Sequence, residues 1–221
     1  MLRGLFVTGT DTGVGKTAVS AALLHRYHSQ VPLRYWKPIQ TGIEADNDTA
    51  TVRQLTFGST ADALDEGVRL PRPVSPHLAA QLAGKPIDLG ALTGLITSRP
   101  DAERWIVEGA GGVLVPINGS DLMVDLMRGL GLPVVVVARS SLGTINHTLL
   151  TLEGLRTRAI RVVGVVMVGN RDSHNRTAIE QYGQVEVVGE MPRFDSLTAD
   201  MLTAWAGSEF DRDARLLEWL R

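Results

Sequence analysis

The chain has 221 residues, 44% hydrophobic and 21% charged, with a net charge of −2 at neutral pH and no cysteine. That length can bury a sizeable core in one α/β domain, and the missing cysteines exclude disulfides, thiolate metal sites and a cysteine nucleophile. There is no basic excess to suggest a nucleic-acid partner. The N-terminal apolar run is too short for a secretory signal, and the other apolar runs fall far short of the roughly 20 residues of a membrane helix. The expectation is a soluble cytoplasmic protein with no membrane partner.

Taken in order, a strand over 5–8 (LFVT) leads through a glycine-rich stretch into a helix over 16–28. Further strands are expected over 33–37, 104–109, 133–138, 162–168 and 185–189. Helices are expected near 46–57, 77–84, 88–98, 121–130, 144–159, 173–182 and 196–206, with a short solvated amphipathic one near 211–220. Continuous apolar strands alternating with helices predict an α/β fold: a single doubly wound, mainly parallel sheet with helices on both faces. Residues 71–76 (PRPVSP) hold three prolines and read as a surface loop over one end of the sheet. Ligands of such sheets sit beyond the C-terminal strand ends, which selects the polar residues worth following.

The stretch after the first strand, Val7–Thr17 (VTGTDTGVGKT), has the strand–glycine loop–helix context of a phosphate-binding loop. Its glycine is at position 9 and not at 10, where the pattern G-x-x-x-x-G-K-[ST] needs it, so the loop is lengthened and Gly9 makes the turn out of the strand. Main-chain N–H groups there cradle anionic oxygens. Lys16 reaches the β- and γ-phosphates, and Thr17 offers its hydroxyl to Mg²⁺. Partition and septum-site ATPases carry a second lysine where this chain has Asp11, which disfavours their chemistry.

After strand 33–37, Lys37 points at the same crevice, Pro38 forces an extended turn, and Thr41 offers a hydroxyl to a substrate. Asp46, Asn47 and Asp48 are all plausible helix caps; Asp48 is also a candidate carboxylate for the metal. The strand RWIVEG ends in Glu108, where a phosphate-loop protein places a second metal-side carboxylate, and the small residues after it let backbone approach a ligand. The stretch after 133–138 opens a helix whose free N–H groups make another anion site. Asn170 follows strand 162–168, and its amide could read a base edge.

The ordered set GTDTGVGKT, KPIQTG, SPH, VEGAGG, LGTINHT and GEMP resembles the dethiobiotin synthetases over nearly the whole chain. The resemblance implies one P-loop NTPase-type ligase domain over residues 1–221. It implies an ATP- and Mg²⁺-dependent cyclo-ligase of biotin biosynthesis that joins 7,8-diaminononanoate and CO₂. A carbamate is phosphorylated by ATP, and the second amine then closes the ureido ring with release of ADP and phosphate. Lys37 and Lys16 would be catalytic, and Thr17, Asp48 and Glu108 would hold the metal. Gly13, Val14, Gly15, Lys16, Thr17, Asp48, Glu108, Gly109, Ala110, Gly111, Asn170, Pro192, Arg193 and Phe194 would bind nucleotide. Thr12, Lys37 and Thr41 would bind substrate. The resemblance also implies a homodimer with its site at the interface, where Gly143, Thr144, Ile145 and Asn146 of the partner chain meet the substrate carboxylate. Gly13 departs from many relatives, which carry glutamate there. Two other readings are a nucleotide-dependent switch, which the absent second lysine disfavours, and a glutamine-dependent amidoligase, which the absent cysteine disfavours.

Overall fold

The computed structural model describes residues 2–56, 63–194 and 196–221. Its strands are β1 (Gly4–Gly9), β2 (Leu33–Trp36), β3 (Ile39–Thr41), β4 (Ala63–Leu64), β5 (Val68–Leu70), β6 (Arg104–Gly112), β7 (Val134–Arg139), β8 (Val162–Val168) and β9 (Val187–Met191). Its helices are α1 (Lys16–Tyr27), α2 (Asp48–Leu55), α3 (Pro76–Ala83), α4 (Leu89–Thr97), α5 (Met123–Leu130), α6 (Thr144–Arg156), α7 (Ser173–Gly183), α8 (Ala199–Ser208) and α9 (Leu217–Leu220).

Seven strands form one sheet in the order β4-β2-β6-β1-β7-β8-β9, and every pairing is parallel. Side chains alternate across it with the strand period of two. Phe6, Trp105, Val107, Val134 and Val136 join the core under α3, α4, α5, α6 and α7. Leu5, Val7, Leu33, Tyr35, Ile106, Val135 and Val137 join the core under α1, α2, α8 and α9. The doubly wound α/β expectation therefore holds. No helix of the described residues is long and apolar enough to cross a membrane.

Several boundaries differ from the expectation. Three short strands, β3, β4 and β5, were not predicted; β3 and β5 form a separate two-stranded parallel sheet. The helix expected from 46 starts at Asp48, because Asn47 is the N-cap and accepts from the Ala50 N–H at 3.0 Å. Its expected end at 57 lies outside the described residues. The loop expected after Glu108 is strand through Gly112, held by pairing with β1 beyond a bulge. The last strand runs to Met191, two residues further than expected.

The C-terminal segment is a correction too. Only Leu217–Leu220 is helical, and Phe210, Leu216, Leu217 and Leu220 are buried. The segment is seated in the core beside α1 and is not a solvated helix.

Candidate active site

Parity and register assemble the site. Leu33, Tyr35 and Lys37 share one side of their extended segment, and Ile106 and Glu108 share one side of β6. Tyr35 pairs with Ile106 and Trp36 with Val107, which sets Lys37 beside Glu108 on the α1 side. Both are nearly sealed, at 3% and 1% exposure. The Lys37 ammonium donates to Glu108 Oε1 at 2.7 Å and to the Gly109 carbonyl at 3.0 Å, and lies 2.6 Å from Asp48 Oδ2. The Thr17 hydroxyl lies 2.9 Å from Asp48 Oδ1 and 3.0 Å from Glu108 Oε1. Having one proton, it donates to one carboxylate at a time.

Two side chains outside the sequence-predicted set brace the acidic pair, one at the Glu108 carboxylate and one at the Asp48 main chain. The buried Tyr35 hydroxyl donates to Glu108 Oε2 at 2.8 Å. Gln40 accepts from the Asp48 N–H at 3.2 Å, and its amide donates to the Thr41 and Asp46 carbonyls. Alternation in LRYWK, which puts Tyr35 on the face of Lys37, was the signal for the first of these.

The charges respond to this crowding. Burial works against the Lys37 ammonium, but Glu108 and Asp48 outweigh it and hold its pKa above the ordinary lysine value. Burial also works against ionised Asp48, and Lys37 with the Thr17 hydroxyl outweighs it, so that carboxyl sits below the usual range. Burial keeps the Tyr35 hydroxyl well above its ordinary value, reinforced by Glu108 and Asp48.

The loop explains its displaced glycine. A Cβ on Gly9 would lie 2.7 Å from Val14 Cγ2, 2.9 Å from the Asp11 carbonyl and 3.2 Å from Lys16 Nζ. Gly9 thus leaves room for the folded-back loop and the ammonium above it. Gly13 and Gly15 have φ of 70° and 101°, backbone that glycine adopts without strain. Lys16 Nζ donates to the Asp11 carbonyl at 2.9 Å. The Asp11 carboxylate pairs with Arg139 at 2.6 Å and accepts from the Thr12 N–H.

Burial, and next the charge of Lys37, lower the Lys16 pKa to about 8. An anionic phosphate chain beside the ammonium would raise it again. Near pH 7 Lys16 is already protonated, whereas at pH 9 it would take up a proton if a nucleotide's phosphates bound beside it. Nucleotide affinity is therefore expected to fall as pH rises through 8. Calorimetry in two buffers of different ionisation enthalpy should show proton uptake at pH 9 and little at pH 7.

A cavity of about 690 Å³ opens over this floor, lined by Thr12, Gly13, Gly15, Lys16, Thr17, Lys37, Gln40, Thr41, Asp48, Glu108, Ala110 and Gly111, with Pro73–Pro76 of the proline loop at its rim. A second cavity, about 660 Å³, lies across the loop and is lined by Thr12, Gly13, Val14, Gly15, Asn170 and Arg193. Thr12, Gly13 and Gly15 line both. Of the remaining expected residues, Gly109 contributes only its carbonyl, Pro192 is half-buried outside both cavities, and Phe194 packs against the α1-side core. Gly143, Thr144, Ile145 and Asn146 line neither cavity: Thr144 is buried within α6, Ile145 packs on the core, and Asn146 is exposed.

The chain matches the model of the AAA domain family over residues 3–201. It is 50% identical over 198 residues to the ATP-dependent dethiobiotin synthetase BioD of Paramagnetospirillum magneticum, covering 90% of this chain and 92% of that one. The chain belongs to the ATP-dependent dethiobiotin synthetase family. A second such synthetase, from Agrobacterium fabrum, is 44% identical over 196 residues, 89% of each chain. Among solved structures, a ParA family ATPase from Chlorobium tepidum shares the fold at a TM-score of 0.57 and 11% identity, covering 93% of this chain and 98% of that one. At that identity, what this dethiobiotin synthetase family member shares with that neighbour is the fold. Its loop carries Asp11, tied to Arg139, where the switch pattern has lysine.

Proposed function

We propose that this protein closes the ureido ring of dethiobiotin from 7,8-diaminononanoate and CO₂ at the expense of ATP. The whole chain acts as one ligase domain, in the cytoplasm. The observation that carries the reading is the cluster of buried Lys37 and Glu108 with half-buried Asp48 and Thr17 beneath Lys16, in a chain of this family.

In the first step one substrate amine attacks CO₂ and loses a proton, giving a carbamate anion. The carbamate oxygen then attacks the γ-phosphorus, ADP leaves, and a carbamoyl–phosphate anhydride remains. The second amine attacks its carbonyl carbon, phosphate departs with the bonding pair, and the ring closes with loss of a proton. The carbamate is a weak nucleophile that shares its charge sign with the phosphate it must approach. Positioning and charge neutralisation are therefore what the protein has to supply. We assign Lys37, at the boundary of the first cavity, to the carbamate once one of its three donors leaves a carboxylate, and Lys16, once off the Asp11 carbonyl, to the γ-phosphoryl group.

The donor set fits Mg²⁺. Thr17 Oγ1, Asp48 Oδ1 and Glu108 Oε1 are hard oxygen donors that converge from three elements, and the Lys37 ammonium already sits as a cation against both carboxylates. Among the described residues no group of three or more His, Cys, Asp or Glu could hold a metal. Two carboxylates and a hydroxyl make a partial shell, as expected for a cation shared with nucleotide phosphates. Such an ion neutralises charge on the transferring phosphoryl oxygens.

The first cavity is assigned to the diamine, with Thr12, Lys37 and Thr41 on its wall. The second is assigned to the nucleoside side, with Asn170 and Arg193 nearest the base and Pro192 and Phe194 beside them. Gly143–Asn146 are assigned to the substrate carboxylate of a partner chain in a homodimer. Supporting that role, the α6 N-terminus carries no side-chain cap and follows the fully exposed Leu142. The test is phosphate release from Mg²⁺-ATP and bicarbonate with and without 7,8-diaminononanoate. Release that requires the diamine is expected; slow release indifferent to it would overturn the reading in favour of a nucleotide switch.

A further inference from the structure

We infer that Tyr35 is a positioning residue that fixes the Glu108 carboxylate as a one-oxygen cation ligand. The inference rests on the metal-side reading of Glu108 given above. Glu108 divides its two oxygens between two jobs. Oε1 faces the cavity side, where it meets Lys37 at 2.7 Å and Thr17 at 3.0 Å. Oε2 faces away and, among the described residues, accepts the Tyr35 hydroxyl alone, at 2.8 Å.

Both residues are sealed, with Tyr35 at 0% and Glu108 at 1% exposure, so water cannot replace that hydrogen bond. A carboxylate turns readily about its terminal torsion, whose energy profile is broad. With the hydroxyl in place, rotation would strip Oε2 of its partner, which is costly in a buried site. The carboxylate plane is thereby held, and one oxygen is presented where Thr17 and Asp48 converge. The Tyr35 ring is itself immobilised, on β2 just before Lys37 and in register with β6 at Ile106. One extended segment thus delivers both the cation that neutralises Glu108 and the donor that aims it.

Groups that orient metal ligands typically change metal affinity by about 10- to 100-fold when removed. Tyr35→Phe keeps the buried ring and removes only the hydroxyl, so the fold should persist, which thermal unfolding would verify. The probe is Mn²⁺ binding in the presence of a non-hydrolysable ATP analogue, read by electron paramagnetic resonance, with metal-free analogue binding as a second readout. Tyr35→Phe is expected to weaken Mn²⁺ by about 10- to 100-fold and to leave metal-free nucleotide binding unchanged.

A double-mutant cycle with Glu108→Gln decides whether the effect runs through Glu108. The Tyr35→Phe loss should largely disappear in the Glu108→Gln background. Wild-type Mn²⁺ affinity in Tyr35→Phe, or an equal loss in both backgrounds, would overturn the inference while leaving Glu108 a ligand. If Glu108→Gln itself leaves Mn²⁺ binding unchanged, the metal-side reading fails and the inference fails with it.

Discussion

Lys37→Ala is expected to lower diamine-dependent phosphate release by about 100- to 1000-fold at saturating substrates, the loss seen when a single electrostatic donor to a transition state is removed. The Lys37 ammonium is the only cation within 3 Å of both Asp48 and Glu108 among the contacts of the described residues. Without it, two carboxylates face one another around the Thr17 hydroxyl with nothing between them. That has a second consequence of opposite sign. The free protein should bind a divalent cation more tightly than wild type, because the competing ammonium is gone. The unfolding temperature of Lys37→Ala should accordingly rise with added Mg²⁺ more steeply than that of wild type. Near-normal turnover would remove Lys37 from the chemistry, and lost turnover without the Mg²⁺-dependent stabilisation would mean that its ion pairs are not the reason.

This cluster was partly legible in the sequence because strand ends are. Glu108 and Lys37 each close a run of β-branched and aromatic residues, and a parallel sheet collects such ends at one rim. The choice of Asp48 over its neighbours was not legible. Asn47, Asp46 and Asp48 have equal claims as caps, and only the fold shows Asn47 taking the cap and leaving Asp48 free for Lys37 and Thr17. Tyr35 was hidden in plain alternation: a tyrosine in an apolar strand reads as core until its hydroxyl is seen to meet a carboxylate.

The extension of β6 over residues 110–112 was missed for a different reason. Consecutive small residues argue for a loop on propensity, whereas pairing with Gly9 of β1 imposes strand geometry from outside, as tertiary context often does. Gly109 shows why smallness is nonetheless needed, since a Cβ there would lie 2.9 Å from the Phe6 ring. The strands β3 and β5, three residues each, are too short to carry a period. Yet β3 is what carries Gln40 and Thr41 to the cavity wall.

The C-terminal segment misled through its charges, and it supplies the largest expected effect on stability. Phe-Asp-Arg-Asp-Ala-Arg reads as solvated surface, but Asp211 is 3% exposed. Its carboxylate accepts the Tyr27 hydroxyl and the N–H groups of Arg215 and Leu216, the last two at 3.0 and 2.8 Å. Burial, and then the Asp211 hydrogen bond, push the Tyr27 hydroxyl far above its ordinary pKa, so the donor stays protonated at any working pH. Arg26 closes the junction by donating to the Phe210 and Asp211 carbonyls at 3.2 Å each. Asp211→Ala would strand two buried donors, the Tyr27 hydroxyl and the Leu216 N–H, along with the half-buried Arg215 N–H, and place alanine at φ 43°. Hydrogen bonds to a charged group are worth about 1.5–3 kcal/mol apiece and do not simply add, so a loss of about 3 kcal/mol is expected. For a chain of this size that lowers Tm by roughly 10 °C. Asp211→Asn tolerates the left-handed backbone and keeps one acceptor oxygen, so it should lose less than alanine. If the two variants unfold together with wild type, the carboxylate is not what ties the terminal leucines to α1. If only the alanine variant falls, a neutral acceptor with the left-handed backbone suffices and the charge is not needed.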